Sequence, residues 1–393
     1  LALTEATGVR LKTSYPIAQD DQTIALMIAE QNYPDLIFAK GDAGKLIEAG
    51  ALIDLEPLID EHAPNIKKLY AEEYDKLRHS ADDPSIYQTS SYGKGSVPYT
   101  TSGTAQIQWA ALKHQDYAIP DTLEKFEQTI KDYLEAYPQT EDGMDHIGLS
   151  LSTADWHWLI TLGNPAGFIA EAAPDNGQWL VDEDYNGIYK FRSENIREYF
   201  RWLNRMYHEG ILDPDFATQT HEDYIAKIAS GRVIALTDAD WDYADGERIL
   251  KADGKYEQTY APLPLTMYEE QKAPSLMYQG LTTGYGIGIS VNAEDPVAAI
   301  KFLDYIASDE GQVLVQWGIE GVNYTIQDGK RVRNEADIIG SQSDPDYIER
   351  TGVGFHNYPF PSYGNGIEDA TGNTYTTTNR ESVMNEYDVE QQA

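Results

Sequence analysis

The order of apolar and polar positions near the start of the chain predicts a strand, a helix and a second strand. Residues 9–15 alternate between apolar and polar side chains, as a half-buried strand does. The apolar spacing over residues 20–30 predicts a helix, and the run Leu36–Phe38 predicts the next strand. A strand, a helix and a strand in this order are typical of a parallel sheet with a right-handed crossover. We therefore expect an α/β fold that begins with this unit.

Three amphipathic helices are predicted in the middle of the chain. The first has an acidic start signal at Asp121 and places apolar residues at 123, 126, 130, 133, 134 and 137. The second follows Ser193 as its N-cap and ends at Gly210, and the third ends at Gly231. The short apolar run after Gly231 predicts a strand. We expect the polar residues 238–247 that follow this strand to form a loop.

The length of the chain and the order of its elements predict two domains. At 393 residues the chain exceeds what one hydrophobic core usually supports. The chain crosses into the second domain near residue 100 and returns to the first through an apolar segment at 259–266. The expected domains are an N-terminal α/β lobe of residues 1–100 and 260–330 and a C-terminal, mainly helical α/β lobe of residues 101–259 and 331–393.

Two further elements are predicted after the return. The segment GYGIGISV at 284–291 predicts a strand whose glycines permit a close approach of neighbouring backbone. Asp295 and Pro296 then open a helix. The last part of the chain is rich in Gly, Asn, Thr and Tyr and has few long apolar periods, so we expect loops or partly disordered chain there.

The composition excludes several classes of partner. The chain carries 65 Asp and Glu against 29 Lys and Arg, and its net charge of -36 would repel nucleic acid and anionic lipid headgroups. It contains no Cys, which excludes disulfides, thiolate metal sites and cysteine nucleophiles. No stretch approaches the ~20 apolar residues of a membrane helix, and no positively charged leader with an apolar core is present. We expect a soluble chain that was processed or trimmed.

The sequence contains no local motif of catalysis, so no catalytic residue is predicted. Acids are so numerous that pairs such as Asp238 with Asp240 carry almost no information about hydrolysis. There is no P-loop and no GxSxG, and GYGIGI lacks the GxGxxG spacing. The eight histidines have no metal-ligand spacing, and we interpret them as structural or surface residues. They lie at positions 62, 79, 114, 146, 157, 208, 221 and 356.

Calcium is the one ion for which the sequence offers candidate ligands. Glu141, Asp142 and Asp145 surround Gly143 in the segment TEDGMDHIGLS. A calcium loop of the EF-hand kind needs acidic or amide ligands at alternating positions and a later bidentate acid. This segment has too few of them, so no cofactor is expected and these three acids stay weak calcium candidates.

Aromatic residues in polar surroundings are better candidates for ligand contacts. The chain has 28 Tyr and 7 Trp, and flat rings suit sugars because sugar C–H groups stack on them. Trp156 and Trp158 face the same way if their segment is extended and diverge if it is helical, which leaves sugar stacking and core packing both open. Trp241 and Tyr243 lie in the predicted polar loop, where a large ring is not expected to pack in the hydrophobic core. Asp238 and Asp240 beside Trp241 are placed to bond sugar hydroxyls in pairs.

Seven segments, taken in order, resemble the solute-binding proteins of bacterial ABC sugar importers, of the large lipoprotein type found in Gram-positive bacteria. The segments are PDLIFAKGDAGKLIEAGALIDLEPLID, VPYTTSG, IPDTLEKF, MYHEGILDPDF, KIASGRVIAL, DPVAAIKFLDYIASDEGQ and WGIEGVNYTIQDGK. The resemblance implies a two-lobed α/β clamp, periplasmic-binding-protein-like and type II-like, with chain crossings between the lobes. It also implies an extracellular receptor that captures an oligosaccharide in an interlobe cleft and delivers it to the permease subunits of the transporter.

The resemblance places the family's ligand loops on this sequence. Together with Tyr278, the ligand-binding candidates that we take from these loops are Lys40, Asp42, Tyr99, Thr100, Thr101, Trp241 and Tyr285. Lys40 is the one basic residue among them, which favours a neutral glycan over a uronate-rich one. A receptor that docks on a permease is expected to be a monomer.

The chain departs from the family pattern in two places. Many relatives carry a calcium loop DPNGNGKxDE where this chain has PQTEDGMDHIG, which weakens the calcium prediction further. The lipidated Cys of the family is missing from this sequence, so anchoring of a precursor as a lipoprotein is implied by the resemblance alone. Two alternatives stay open, a polysaccharide-active lyase or hydrolase and a binding protein for non-sugar solutes such as peptides.

Overall fold

The structure is a computed structural model that describes residues 1–14, 20–91, 93–95, 103–173, 178–182, 184–273, 281–344 and 346–384. Its α-helices are α1 (Ala2–Thr7), α2 (Asp20–Glu30), α3 (Ala43–Glu48), α4 (Glu56–His62), α5 (Pro64–Tyr70), α6 (Trp109–His114), α7 (Leu123–Ala136), α8 (Asn164–Glu171), α9 (Glu194–His208), α10 (His221–Ala229), α11 (Asp240–Ala252), α12 (Pro296–Ala307), α13 (Asp309–Trp317), α14 (Glu335–Ser343), α15 (Tyr347–Thr351) and α16 (Arg380–Met384). Its strands are β1 (Leu36–Phe38), β2 (Ala105–Gln108), β3 (Ile147–Ser150), β4 (Trp179–Val181), β5 (Gly187–Tyr189), β6 (Val233–Leu236), β7 (Tyr260–Leu263), β8 (Ile287–Ile289), β9 (Tyr324–Gln327) and β10 (Lys330–Arg333). Short 3-10 helices lie at Lys40–Asp42, Ala71–Leu77, Lys190–Arg192 and Tyr256–Gln258, and a π-helical turn lies at Leu159–Gly163.

The chain divides into two compact units. The first unit consists of residues 1–97, 278–338 and 346–382, and the second of residues 98–277, 339–345 and 383–393. Both units mix helices with strands, as the predicted α/β class requires. No helix in the described segments is long and apolar enough to cross a membrane.

The pairing of β1 in the first unit differs from the prediction. Leu36 pairs with Ile289 and Phe38 with Ile287, so β1 and β8 are antiparallel and the expected parallel β-α-β start is wrong. Residues 9–14, the described part of the first predicted strand, form no strand. The other edge of β8 is occupied by an extended segment, in which the Thr89 N–H donates to the Ile287 carbonyl at 3.0 Å.

Gly288 of β8 and Gly286 just before this strand have the role that the sequence predicts. A Cβ added to Gly286 would lie 1.6 Å from the Thr89 carbonyl oxygen, and one added to Gly288 would lie 2.8 Å from the Tyr87 carbonyl oxygen. The neighbouring backbone therefore approaches β8 more closely than any side chain allows.

A buried carboxylate links two helices of the first unit. Asp304 of α12 accepts hydrogen bonds from the backbone N–H groups of Asn65 and Ile66 at 2.7 and 3.0 Å, at the start of α5. These N–H groups have no partner within their own helix, so the carboxylate from α12 caps α5. The apolar faces of α4, α5 and α12 pack together in the core of this unit, with Ile59 and Phe302 buried among them.

The second unit is built on a four-stranded sheet with the order β3-β6-β2-β7. The strands β3 and β6 are parallel, whereas β2 is antiparallel to both β6 and β7. Phe126 of α7 and Tyr199 of α9 pack in the core beside the sheet residues Ile107 and Leu149. The Ser193 hydroxyl accepts from the Ile196 N–H at 3.4 Å, which confirms Ser193 as the N-cap of α9. The helices predicted at α7, α9 and α10 are all present.

The division into units differs from the predicted domain boundaries at residues 98–100, 260–277, 331–338 and 346–382. The strand β7 belongs to the second unit because it pairs with β2 along its whole length. Residues 346–382 belong to the first unit, where Gln312 of α13 donates to the Pro361 carbonyl at 2.9 Å and Phe360 is buried in the core. A segment with few apolar periods is thus fixed by polar contacts that its sequence does not reveal.

Candidate ligand-binding site

The predicted polar loop after β6 is wrong, because α11 begins within it at Asp240. Asp240 and Asp242 lie in the first turn of α11, where their negative charges interact favourably with the helix dipole. Trp241 projects from this turn and is 56% exposed. Tyr243 is buried, with its ring 5.5 Å from that of Tyr260 in an edge-on contact, so the structure makes it a packing residue of the core.

Trp156 and Trp158 diverge, since their segment turns into a helix instead of continuing as a strand. Trp156 is 53% exposed, whereas Trp158 is half-buried with its ring 6.4 Å from that of Phe191. The rings of Trp156 and Trp241 stack with their centroids 6.0 Å apart and 20° between their planes. We call this pair of exposed indoles the aromatic face.

Two histidines continue the stack behind Trp156. The His157 ring lies 3.9 Å from the Trp156 ring, and the His221 ring lies 3.8 Å from the His157 ring with 6° between them. His157 Nδ1 is 3.1 Å from Asp242 Oδ1, and His221 Nε2 is 3.8 Å from the same oxygen. Burial lowers the pKa of His221, although the charge of Asp242 opposes this effect. We call His157, His221 and Asp242 the histidine cluster.

The sequence did not predict that His157, His221 and Asp242 lie together. His157 lies just before the π-helical turn, His221 is the first residue of α10 and Asp242 is in α11. These positions have no local spacing that predicts convergence. Two features of the sequence could have indicated the cluster. His157 follows a candidate ligand residue, Trp156, and His221 follows an N-cap residue, Thr220.

Asp238 is a fully buried acid three residues before Trp241 in the chain. Its Oδ2 accepts a hydrogen bond from the Tyr224 hydroxyl at 2.8 Å, and its Oδ1 accepts from the Ala239 N–H at 2.7 Å. Burial, and then the nearby charge of Asp242, raises the pKa of Asp238 well above its ordinary value. Asp238 is therefore a core residue, and Asp240 is the exposed acid beside Trp241.

In the first unit, three predicted ligand residues lie together. Lys40 and Asp42 are in the 3-10 helix after β1, and a Cβ added to Gly41 between them would lie 3.2 Å from the Tyr285 hydroxyl oxygen. Asp42 forms an ion pair with Lys45 at 2.8 Å. The sequence did not single out Tyr358, which is about half exposed and packs edge-on against Phe38 at 5.1 Å. The only feature of the sequence that could have indicated Tyr358 is its place in a Tyr-rich segment.

The remaining candidates receive no support from a described contact. Tyr99, Thr100, Thr101 and Tyr278 lie outside the described residues. Gln139 Nε2 donates to Asp145 Oδ1 at 2.8 Å and closes the turn that carries Glu141 and Asp142. Within the described segments, the histidine cluster is the one group of three or more His, Asp or Glu residues whose ligand atoms converge, and the calcium candidates form no second group.

This chain belongs to the family of bacterial extracellular solute-binding proteins, whose family model matches residues 2–336. The resemblance found in the sequence is thereby confirmed. Lipoprotein LipO of Bacillus subtilis (strain 168) is 22% identical over 350 residues, which cover 84% of this chain and 64% of LipO. The fructooligosaccharide ABC transporter substrate-binding protein FusA of Streptococcus pneumoniae serotype 4 (strain ATCC BAA-334 / TIGR4) is 24% identical over 241 residues, which cover 57% of this chain and 43% of FusA. The chain thus covers less than two thirds of either relative.

Solved structures of solute-binding proteins share this fold. FusA of S. pneumoniae in complex with kestose matches with a TM-score of 0.65 at 18% identity, covering 98% of this chain and 78% of that chain. The alginate-binding protein AlgQ2 without calcium ion matches with a TM-score of 0.62 at 20% identity, covering 98% of this chain and 82% of that chain. The two-unit α/β fold is therefore that of solute-binding proteins.

Proposed function

We propose that this protein captures an oligosaccharide at the aromatic face and delivers it to the permease of an ABC transporter. The observation that carries the proposal is the near-parallel pair of Trp156 and Trp241, each more than half exposed. Two neighbouring indoles that are exposed to solvent present apolar surface that a folded chain normally buries. Such a pair provides exposed aromatic surface on which a sugar ring can stack.

The surroundings of the aromatic face suit a hydroxyl-rich ligand. Sugar C–H groups stack on the indoles, while hydroxyl groups bond to polar side chains at the edge of the rings. Asp240 is exposed on the same helical turn as Trp241, and a carboxylate accepts hydrogen bonds from two neighbouring hydroxyls. Asp155 precedes Trp156 and is also exposed, so acids adjoin both indoles. This negative charge favours a neutral glycan over a uronate-rich one.

The relatives support the ligand class and the transport role. FusA is named as a fructooligosaccharide ABC transporter substrate-binding protein and was solved with kestose. NgtS of Streptococcus pneumoniae, named for N-glycan transport, shares the fold with a TM-score of 0.58. By extension, we propose that this chain binds without performing chemistry, acts as an extracellular monomer and belongs to a precursor with a lipid anchor.

A thermal-shift screen tests the ligand class. The panel contains neutral oligosaccharides, uronate oligosaccharides and peptides, each added in excess to the purified protein. A ligand at 100 times its Kd stabilises the folded state by about 2.7 kcal/mol, which raises the melting temperature measurably. We expect a neutral oligosaccharide to give the largest shift. A shift with peptides alone would contradict the sugar proposal, and steady release of shortened glycans would identify an enzyme instead.

A further inference from the structure

We propose that the histidine cluster binds a Zn²⁺ ion through His157, His221 and Asp242. The three side chains come from three separate elements of the second unit, and their ligand atoms lie within 4.8 Å of one another. The proposal concerns a site in the support of the aromatic face and does not depend on which solute that face binds.

The distances from Asp242 Oδ1 to the two histidine nitrogens are close to those of a zinc site. An ion held tetrahedrally at about 2.1 Å from each ligand separates neighbouring ligand atoms by about 3.4 Å. The distance from His157 Nδ1 to Asp242 Oδ1 is 3.1 Å, and that from His221 Nε2 to the same oxygen is 3.8 Å. Shifts of a few tenths of an ångström would bring both pairs to the zinc value.

The orientation of the rings requires one histidine to turn. The His157 and His221 rings are nearly parallel, so their nitrogen lone pairs do not point at a common position. His221 is the ring that turns at low cost, because its buried Nδ1 has no hydrogen-bond partner to lose. A buried polar atom without a partner is unfavourable, so a turn that brings Nδ1 to water while Nε2 binds the ion lowers this penalty.

The ligand atoms of the cluster determine which kind of ion it can bind. Imidazole nitrogen with a single carboxylate suits Zn²⁺ and other late first-row ions, whereas Ca²⁺ requires six to eight oxygen ligands. The cluster offers one carboxylate and so cannot satisfy Ca²⁺. Three protein ligands leave a fourth position of a tetrahedral ion for water or for an oxygen atom of a ligand.

Titration calorimetry of the metal-free protein with ZnCl₂ tests the site. We expect one Zn²⁺ per chain and a loss of affinity of more than about 10-fold in His221→Ala and in Asp242→Asn, because direct ligands matter at least as much as their outer-shell partners. His208→Ala is the matched control, since His208 is an exposed histidine in a helix of the same unit and outside the cluster. Melting curves of the metal-free variants show whether each one folds.

A fluorescence measurement provides a second readout that does not depend on calorimetric heats. Because the Trp156 ring stacks on His157, a quenching ion such as Cu²⁺ bound at the cluster should reduce the emission of Trp156. The quenched fraction should fall in Trp156→Phe while calorimetric Zn²⁺ affinity stays close to that of the wild type, because Trp156 stacks on His157 and is not a ligand. Absence of Zn²⁺ binding by the wild type, or equal weakening by His221→Ala and His208→Ala, would overturn the proposal.

Discussion

The indole rings of Trp156 and Trp241 stack 6.0 Å apart although they come from different parts of the second unit. Trp156 precedes a π-helical turn and Trp241 lies in the first turn of α11. His157 stacks on Trp156 and lies 3.1 Å from Asp242, the residue that follows Trp241, so the histidine cluster connects the two chain segments that carry the indoles. The aromatic face therefore adjoins a cluster of polar groups, of which Asp242 is buried and the two histidines are half-buried.

We expect Gly286→Ala to destabilise the first unit strongly. The new methyl group would lie 1.6 Å from the Thr89 carbonyl oxygen, so the extended segment beside β8 must move away. Gly44→Ala in α3 is the matched control, because nothing lies within 4 Å of its added Cβ and alanine favours a helix. Urea unfolding measures both variants. Equal stability of the two would contradict the close approach at Gly286.

We expect Asp304→Ala to cost about 2–3 kcal/mol of unfolding free energy. The substitution leaves the N–H groups of Asn65 and Ile66 without their acceptor at the start of α5. Asp295→Ala removes an exposed cap that bonds one N–H group, of Ala298 at 2.9 Å, and should cost about 1 kcal/mol. Chemical unfolding compares the unfolding free energies of the two variants. A loss at Asp304 no larger than at Asp295 would refute the bridging role of Asp304.

Tyr224→Phe should destabilise the second unit by about 1–3 kcal/mol. The variant keeps the ring but removes the hydroxyl that donates to Asp238 at 2.8 Å, and both side chains are fully buried. Tyr207→Phe provides the control, since Tyr207 is a partly exposed tyrosine of α9. Thermal unfolding measured by circular dichroism checks the difference. A change within error for Tyr224→Phe would show that the hydrogen bond contributes little.

The ion pair between Arg331 and Asp369 predicts a dependence of stability on pH. Both side chains are almost fully buried, and Arg331 also donates to the Thr374 carbonyl at 3.2 Å. Burial alone would raise the pKa of Asp369, but hydrogen bonds from Thr371 and Arg331 outweigh it and lower that pKa. The stabilisation by this carboxylate is therefore present at neutral pH and is lost as the pH falls below about 4, through the lowered pKa.

Asp369→Asn measures this contribution. At pH 7 the variant should lose about 3–5 kcal/mol of unfolding free energy, because Arg331 is left buried without its charge partner. The difference from the wild type should shrink as the pH is lowered below about 4, where the wild-type carboxylate becomes neutral as well. Urea unfolding at several pH values gives the comparison. A difference that stays constant down to pH 3 would contradict the lowered pKa.

The elements that were predicted correctly are those whose signals are local. The periodicity of α7 and α9, and the cap at Ser193, lie within single stretches of sequence. The start of α11 was missed because its acids resemble those of a polar loop, while their benefit comes from the helix dipole. The segment 346–382 was misplaced because its contacts with α13 involve residues distant in the chain.

The candidate site was predictable in part for the same reason. Trp156 and Trp241 were chosen as candidates from the sequence, and the structure shows that both are exposed. Tyr243, two residues after Trp241, is buried while Trp241 is exposed, because a helix turns residues at that spacing apart. The histidine cluster depends on the packing of α10 against α11, which no local pattern contains.

The most direct test of the account is calorimetric titration of Trp241→Ala and Trp156→Ala with the oligosaccharide that gives the largest thermal shift. Trp179→Ala is the matched control, since Trp179 lies in the same unit and is 54% exposed. Loss of one stacking surface should cost about 1–3 kcal/mol, a weakening of roughly 5- to 150-fold, with melting temperatures of the free variants close to that of the wild type. Trp179→Ala should bind as the wild type does. Unchanged affinity in both Trp241→Ala and Trp156→Ala would contradict sugar capture at the aromatic face.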